Sequence, residues 1–202
     1  MNFGTRIAQQ RAESDKEAPS NMYGMVNRAL EEMVCEAHGE AIWEQIKLKA
    51  GVDVDVFLSH EGYPDEMTYQ LVGAASEVLK APASDLLEAF GGHWVLKTAV
   101  QGYGHLMTAA GSNLKEFLLY LPNFHTRISL MFPHLNPPRF LCSDVADQSL
   151  NLHYYSDRPG LAPFVLGLVK GLAQHYKTQV NVQQIGFRGT ETDHDIFEVK
   201  WS

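Results

Sequence analysis

The chain has 202 residues, enough for one domain with a substantial core. Its composition, 45% hydrophobic and 20% charged, is that of an ordinary globular protein, and no apolar run is long enough to span a bilayer. A net charge of −8 with no dense Lys/Arg block argues against nucleic acid or an anionic membrane surface as partner.

Residues 1–21 contain Arg6, Arg11 and Lys16 but no apolar h-region, so they are no secretory signal. They are expected to form a flexible N-terminal extension, with a single domain over 22–202. Met22, Met25, Val26, Ala29, Leu30, Met33 and Val34 recur at helical spacing, and Gly39 stops that run. A second helix is expected over 41–50, before Gly51. Gly62 and Pro64 break the pattern. Met67, Leu71, Val72, Ala75, Val78 and Leu79 form the next stripe, and a further helix after Pro82 carries Leu86, Leu87, Phe90, Trp94 and Val95.

Gly102 and Gly104 mark an expected turn. Residues 114–121 read as a short helix. Beyond Pro122, helical spacing resumes through Phe124, Ile128 and Met131 and ends at Pro133. Pro137 and Pro138 make a rigid bend. From Arg139 the texture changes: Leu150, Leu152 and Tyr154 alternate as in a strand. A helix follows over 161–176. Two closing strands carry Val180 and Val182, then Phe197, Val199 and Trp201, joined by a turn-rich connector as a hairpin. Helices first, then an antiparallel sheet with one packed helix, make an α+β domain.

Two cysteines, Cys35 and Cys142, stand far apart and outside any CxxC pattern. This excludes a disulfide framework and a thiolate zinc site, and a reducing cytoplasm fits. Of nine histidines, His38, His60, His105, His134 and His194 lie in polar stretches where surface placement is the default. No HExxH pair, carboxylate cluster or Ser/His/Asp spacing stands out.

His125 differs, because it sits on a largely apolar helical segment after Phe124 and shortly before the proline-rich bend. A neutral imidazole there suits an axial haem ligand, although taken alone a satisfied core or surface histidine is the commoner explanation. The second feature is Tyr154-Tyr155-Ser156-Asp157-Arg158. On extended backbone Tyr154, Ser156 and Arg158 share a side, presenting two hydroxyls and a guanidinium fork to a pair of carboxylates. A strand end with an exposed arginine is the ordinary alternative.

Together with MYGMVNRAL, LVGAASEVL, AFGGHWV, NFHTRISLMFPHLNPPRF and DHDIFEVKW, these features give a resemblance to the H-NOX family, haem nitric oxide/oxygen-binding domains related to the sensor of soluble guanylate cyclase. The resemblance runs from Met22 to Trp201. It implies haem b buried between a helical and a sheet half, with His125 as the sole protein bond to iron. It implies that Tyr154, Ser156 and Arg158 clamp the propionates and that Pro138 bends the macrocycle. It also implies that Trp94 and Val26 line the pocket.

Oxygen-binding members place a tyrosine early in the helix after YxSxR; residues 159–166 here contain none. The expectation is therefore a non-enzymatic, bacterial, cytoplasmic sensor that binds nitric oxide and carbon monoxide and excludes oxygen. An oxygen-binding protein using the Trp94 indole N–H as donor is the alternative. Residues 184–194 contain no cysteine, so the zinc held by some members is not expected. With no kinase or cyclase segment after Trp201, the output is expected to pass to a separate protein such as a histidine kinase or diguanylate cyclase. Three other classes compete: a peroxidase using His93 beside Trp94, a passive gas carrier, and a haem-free interaction module.

Overall fold

Gly24 decides where the first helix begins. A Cβ at this position would collide with the Leu58 carbonyl, so the loop before residue 62 can close on the chain only over a glycine. The computed structural model describes residues 21–131, 137–190 and 192–202. Just before Gly24, β1 (Asn21–Tyr23) pairs antiparallel with β2 (Gly62–Pro64), placing Met22 opposite Tyr63. Met22 therefore belongs to a strand and not to the helical stripe read from sequence. Asn21 also pairs, opposite Pro64, and the rest of the expected extension lies outside the described residues.

The remaining stripe becomes α1 (Gly24–His38), followed by α2 (Glu40–Ala50), α3 (Asp65–Leu79) and α4 (Ala83–His93). Gly51 closes α2 in the left-handed region (φ 67°), its N–H bonded to the Leu48 and Lys47 carbonyls. These helices enclose a first core that includes Leu30, Trp43, Ile46, Leu71 and Phe90.

The chain then departs from the sequence reading. The segment Trp94–Ala99 is π-helical, and α5 (Val100–Ala110) is two helical pieces joined at a kink between Gly102 and Gly104, where a turn was expected. Both glycines face open space, and the helix is held by the buried Met107 and Ala110. Burial of that face outweighs the glycine penalty of about 1 kcal/mol each. What marks the place is a kink at Tyr103 (φ −135°, ψ 15°).

α6 (Leu114–Met131) is continuous across Pro122, where two segments were expected. Asn113 Oδ1 accepts the Glu116 N–H (2.9 Å), and Glu116 Oε2 accepts the Ser112 N–H (2.8 Å), which caps the start. A mid-helix proline costs about 3 kcal/mol. Against this, Leu114, Phe117, Leu118, Leu121 and Ile128 bury one continuous face. The expected end at Pro133 lies outside the described residues.

A strand missed in the sequence, β3 (Arg139–Ser143), pairs antiparallel with β4 (Ser149–Tyr155), placing Phe140 opposite Tyr154. The helix α7 (Ala162–His175) and the hairpin β5 (Val180–Gly186) and β6 (Asp195–Trp201) follow as expected. The sheet order is β3-β4-β6-β5, and every pair is antiparallel. Its inner face, with Phe140, Leu150, Leu152, Tyr154, Phe197 and Val199, joins α6 and α7 in a second core. The fold is α+β, as expected.

α4 and α7 lock the two cores together. A Cβ on Gly91 would strike the Phe164 carbonyl, and one on Gly167 the Glu88 carbonyl, so the backbones touch. Among the described residues no helix is long and apolar enough to cross a membrane.

Candidate functional site

His125 stands on the apolar face of α6, one turn beyond Pro122. Its Nδ1 lies 3.2 Å from the Leu121 carbonyl. A carbonyl only accepts, so Nδ1 carries the proton and Nε2 presents a lone pair. Burial pushes the imidazole down to about 4, against the ordinary 6.5, so the ring is neutral at physiological pH. Phe140 stacks on it (centroids 5.2 Å apart, 22° between planes), and Phe124 meets it edge-on at 6.0 Å.

Phe140 also packs against Tyr154 at 5.2 Å, so one phenylalanine separates the α6 histidine from the first residue of the YxSxR motif. Tyr154 is buried on the inner face of β4, and its hydroxyl is hydrogen-bonded to Ser156. Burial raises the phenol above its ordinary range, so it is a proton donor at neutral pH. Ser156 Oγ accepts the Arg158 N–H at 3.1 Å, while the Arg188 guanidinium donates to the Ser156 carbonyl. The motif thus leaves β4 after Tyr155, so the extended backbone expected to put all three side chains on one side ends there, and the chain beyond is fastened through Ser156.

Arg158 reaches away from the sheet. Its Nε donates to Asp65 Oδ2 at 2.8 Å and its Nη2 to the Asn21 carbonyl at 3.1 Å. Asp65 is the first residue of α3, where the helix dipole favours a negative charge. Its Oδ1 is buried and has no hydrogen-bond partner among the described residues. Tyr69, one turn further along α3, donates to the Pro159 carbonyl at 2.9 Å. The YxSxR turn is therefore pinned to the helical half.

The other residues singled out in the sequence lie elsewhere. Val26 and Trp94 pack against the first core, and Trp94 meets Phe90 edge-on at 6.2 Å. Phe164 of α7 completes that group, 5.1 Å from Phe90. His93 beside it is half-buried, and burial lowers its pKa. Pro138 is partly buried at the entry to β3. Tyr103, at the kink of α5, reaches Met25 Sδ (3.9 Å) and so ties α5 to α1.

Sequence reasoning missed Asp65, Asn21 and Phe140. Asp65 lies 93 residues from its arginine and reads locally as an ordinary acidic helix start. Phe140 carried a signal, an apolar residue two positions after a proline pair, but its strand is only five residues long.

Residues 23–184 match the family model described as haem-NO-binding. The chain belongs to the haem-NO-binding, or H-NOX, family. Soluble guanylate cyclase gcy-35 of Caenorhabditis elegans is 32% identical over 191 residues, covering 88% of this chain and 27% of that protein. Soluble guanylate cyclase gcy-34 of the same organism is 32% identical over 157 residues, covering 76% and 23%. The chain thus spans about a quarter of the length of these relatives. Among solved structures, an H-NOX protein from S. oneidensis in the Fe(II)NO state superposes with TM-score 0.80 at 20% identity, covering 90% of this chain and 99% of that one. The unliganded Fe(II) H-NOX protein from K. algicida gives 0.79 at 19%, covering 90% and 97%. H-NOX domains bind haem and diatomic gases and signal to partner domains; this is a family of sensors, not of enzymes.

Proposed function

We propose that this H-NOX domain is a cytoplasmic nitric oxide sensor that excludes oxygen, with haem b bound through His125. The observation that carries the reading is the His125 imidazole. It is neutral, packed between Phe124 and Phe140, and tautomerically fixed by Leu121 so that Nε2 offers its lone pair. Haem b would supply the iron at which the gas binds.

The donor set suits that group. Tyr154 and Ser156 would offer hydroxyls, and Arg158 a guanidinium already bonded to Asp65 and the Asn21 carbonyl, a set matched in kind to two propionates. Asp65 orients Arg158 through Nε. Pro138, two residues before Phe140 at the strand entry, would press on the macrocycle. Val26 and Trp94 would line the gas side from the first core.

Selectivity follows from what this lining offers a bound gas. Bound oxygen gains negative charge and needs a donor, which the tyrosine-free start of α7 does not supply. Trp94 packs against Phe90, and this favours an apolar role for its ring over hydrogen bonding. Signalling would begin at His125. Without a bond to iron the ring would keep the Leu121 carbonyl and its contacts with Phe124 and Phe140, and α6 would have one tether fewer. A ligand shifts such an equilibrium only through its differential affinity for the two states, and loss of that tether provides the difference. The reader would be a separate signalling protein, a histidine kinase or diguanylate cyclase.

Anaerobic absorption spectra of the ferrous protein test this, with nitric oxide or carbon monoxide added and separately in air. A five-coordinate nitrosyl form and no oxygen complex are expected. A stable oxygen complex would replace this reading with the oxygen-binding alternative and a Trp94 donor.

A further inference from the structure

Pro122 leaves a defect in α6. With no N–H, it cannot donate to the carbonyl four residues earlier, that of Leu118. Leu118 is fully buried (0% exposed), so water cannot take the place of that donor. The carbonyl has a partner in Cys142 Sγ, 3.5 Å away, from the inner side of β3. A thiol is a weak donor, but here it meets an acceptor that the helix has released.

The contact lies close to His125. Leu118, Leu121, Pro122 and His125 follow one another along α6, and the Leu121 carbonyl is the acceptor for His125 Nδ1. On the facing strand, Cys142 and Phe140 sit two residues apart on one side, so β3 holds the thiol on Leu118 and the aromatic ring on His125. The strand thus grips α6 at two points, one on each side of the proline. Burial also pushes the Cys142 thiol up to about 11, so it keeps its proton at neutral pH and remains a donor.

We infer that Cys142 is a positioning residue for His125: its S–H replaces the helix hydrogen bond removed by Pro122 and sets where the second half of α6 lies against β3. The consequence for the iron bond rests on the haem reading above; the thiol–carbonyl contact does not.

A double-mutant cycle tests the inference, because Pro122→Ala returns an N–H to the Leu118 carbonyl and makes the thiol redundant. Cys142→Ala in the wild-type background should lower Tm by about 2–4 °C. The same change in the Pro122→Ala background should have a much smaller effect. Cys142→Ser, which keeps a hydroxyl donor, should recover part of the loss. An equal loss from Cys142→Ala in both backgrounds would overturn the inference and reduce Cys142 to a space-filling side chain.

The second readout is the iron–histidine stretching band of the ferrous protein. It should shift in Cys142→Ala and stay unshifted when Cys142→Ala is added to Pro122→Ala. A coupled Tm cycle with an iron–histidine band that ignores Cys142 would overturn the positioning role. A coupled cycle with no such band in any variant would keep the thiol's part in the helix and discard the haem reading, so the two failures are distinguishable.

Discussion

Arg158 and Asp65 join the sheet half of the molecule to the helical half through one short contact, Nε to Oδ2 at 2.8 Å. Both side chains are nearly buried, 12% and 10% exposed, so the pair is shielded from solvent screening. The partner that stays behind after a deletion therefore matters more than the bond itself.

Arg158→Ala leaves the Asp65 carboxylate buried and uncompensated, with Oδ1 already lacking a hydrogen-bond partner among the described residues. It should destabilise the fold by roughly 3 kcal/mol and speed haem loss. Asp65→Asn keeps an acceptor and removes the charge, so it should cost less. Urea unfolding and the rate of haem transfer to a scavenging apoprotein measure the two effects. Equal stability of Arg158→Ala and wild type would mean that the pair is not a structural link.

His125 makes the haem-free protein sensitive to acid. The folded-state pKa, about 4, lies below the ordinary 6.5. As pH falls from about 6.5 to about 4, the unfolded chain takes up a proton that the folded chain refuses, so stability falls through that window. Above it, both states are neutral and the group contributes no slope. The loss should approach the order of 3 kcal/mol. Comparing haem-free wild type with His125→Gln by urea unfolding at several pH values isolates it: the variant should show a flatter profile over the same range.

The contact between α4 and α7 has no room for a side chain. Gly91→Ala or Gly167→Ala forces a methyl into opposing backbone and should cost about 1–3 kcal/mol or more. Gly73→Ala, in open space on α3, should be neutral or slightly stabilising. Thermal unfolding of the three variants tests this order.

The parts legible in sequence were those whose signal is local. His125 on its apolar segment and the Tyr154–Arg158 motif, which begins on β4 and leaves it after Tyr155, are each contained in a few residues, and the structure links His125 to Tyr154 through Phe140. What escaped was set by distance or by packing. Asp65 becomes meaningful only when folding brings Arg158 to it. The break expected at Gly102 and Gly104 is a kink at Tyr103 between them and not a full turn, because burial of Met107 and Ala110 holds the helix on its far side. Pro122 seemed to end a helix that in fact continues, with Cys142 supplying a donor from a strand 20 residues further on.

The role of His125 is tested most directly by the ferrous absorption spectrum of His125→Gly, recorded without oxygen, before and after adding free imidazole. The account predicts that the variant loses the wild-type spectrum and that imidazole, entering the place of the missing ring, restores it. A His125→Gly protein with haem bound and the wild-type ferrous spectrum, unaffected by imidazole, would contradict it.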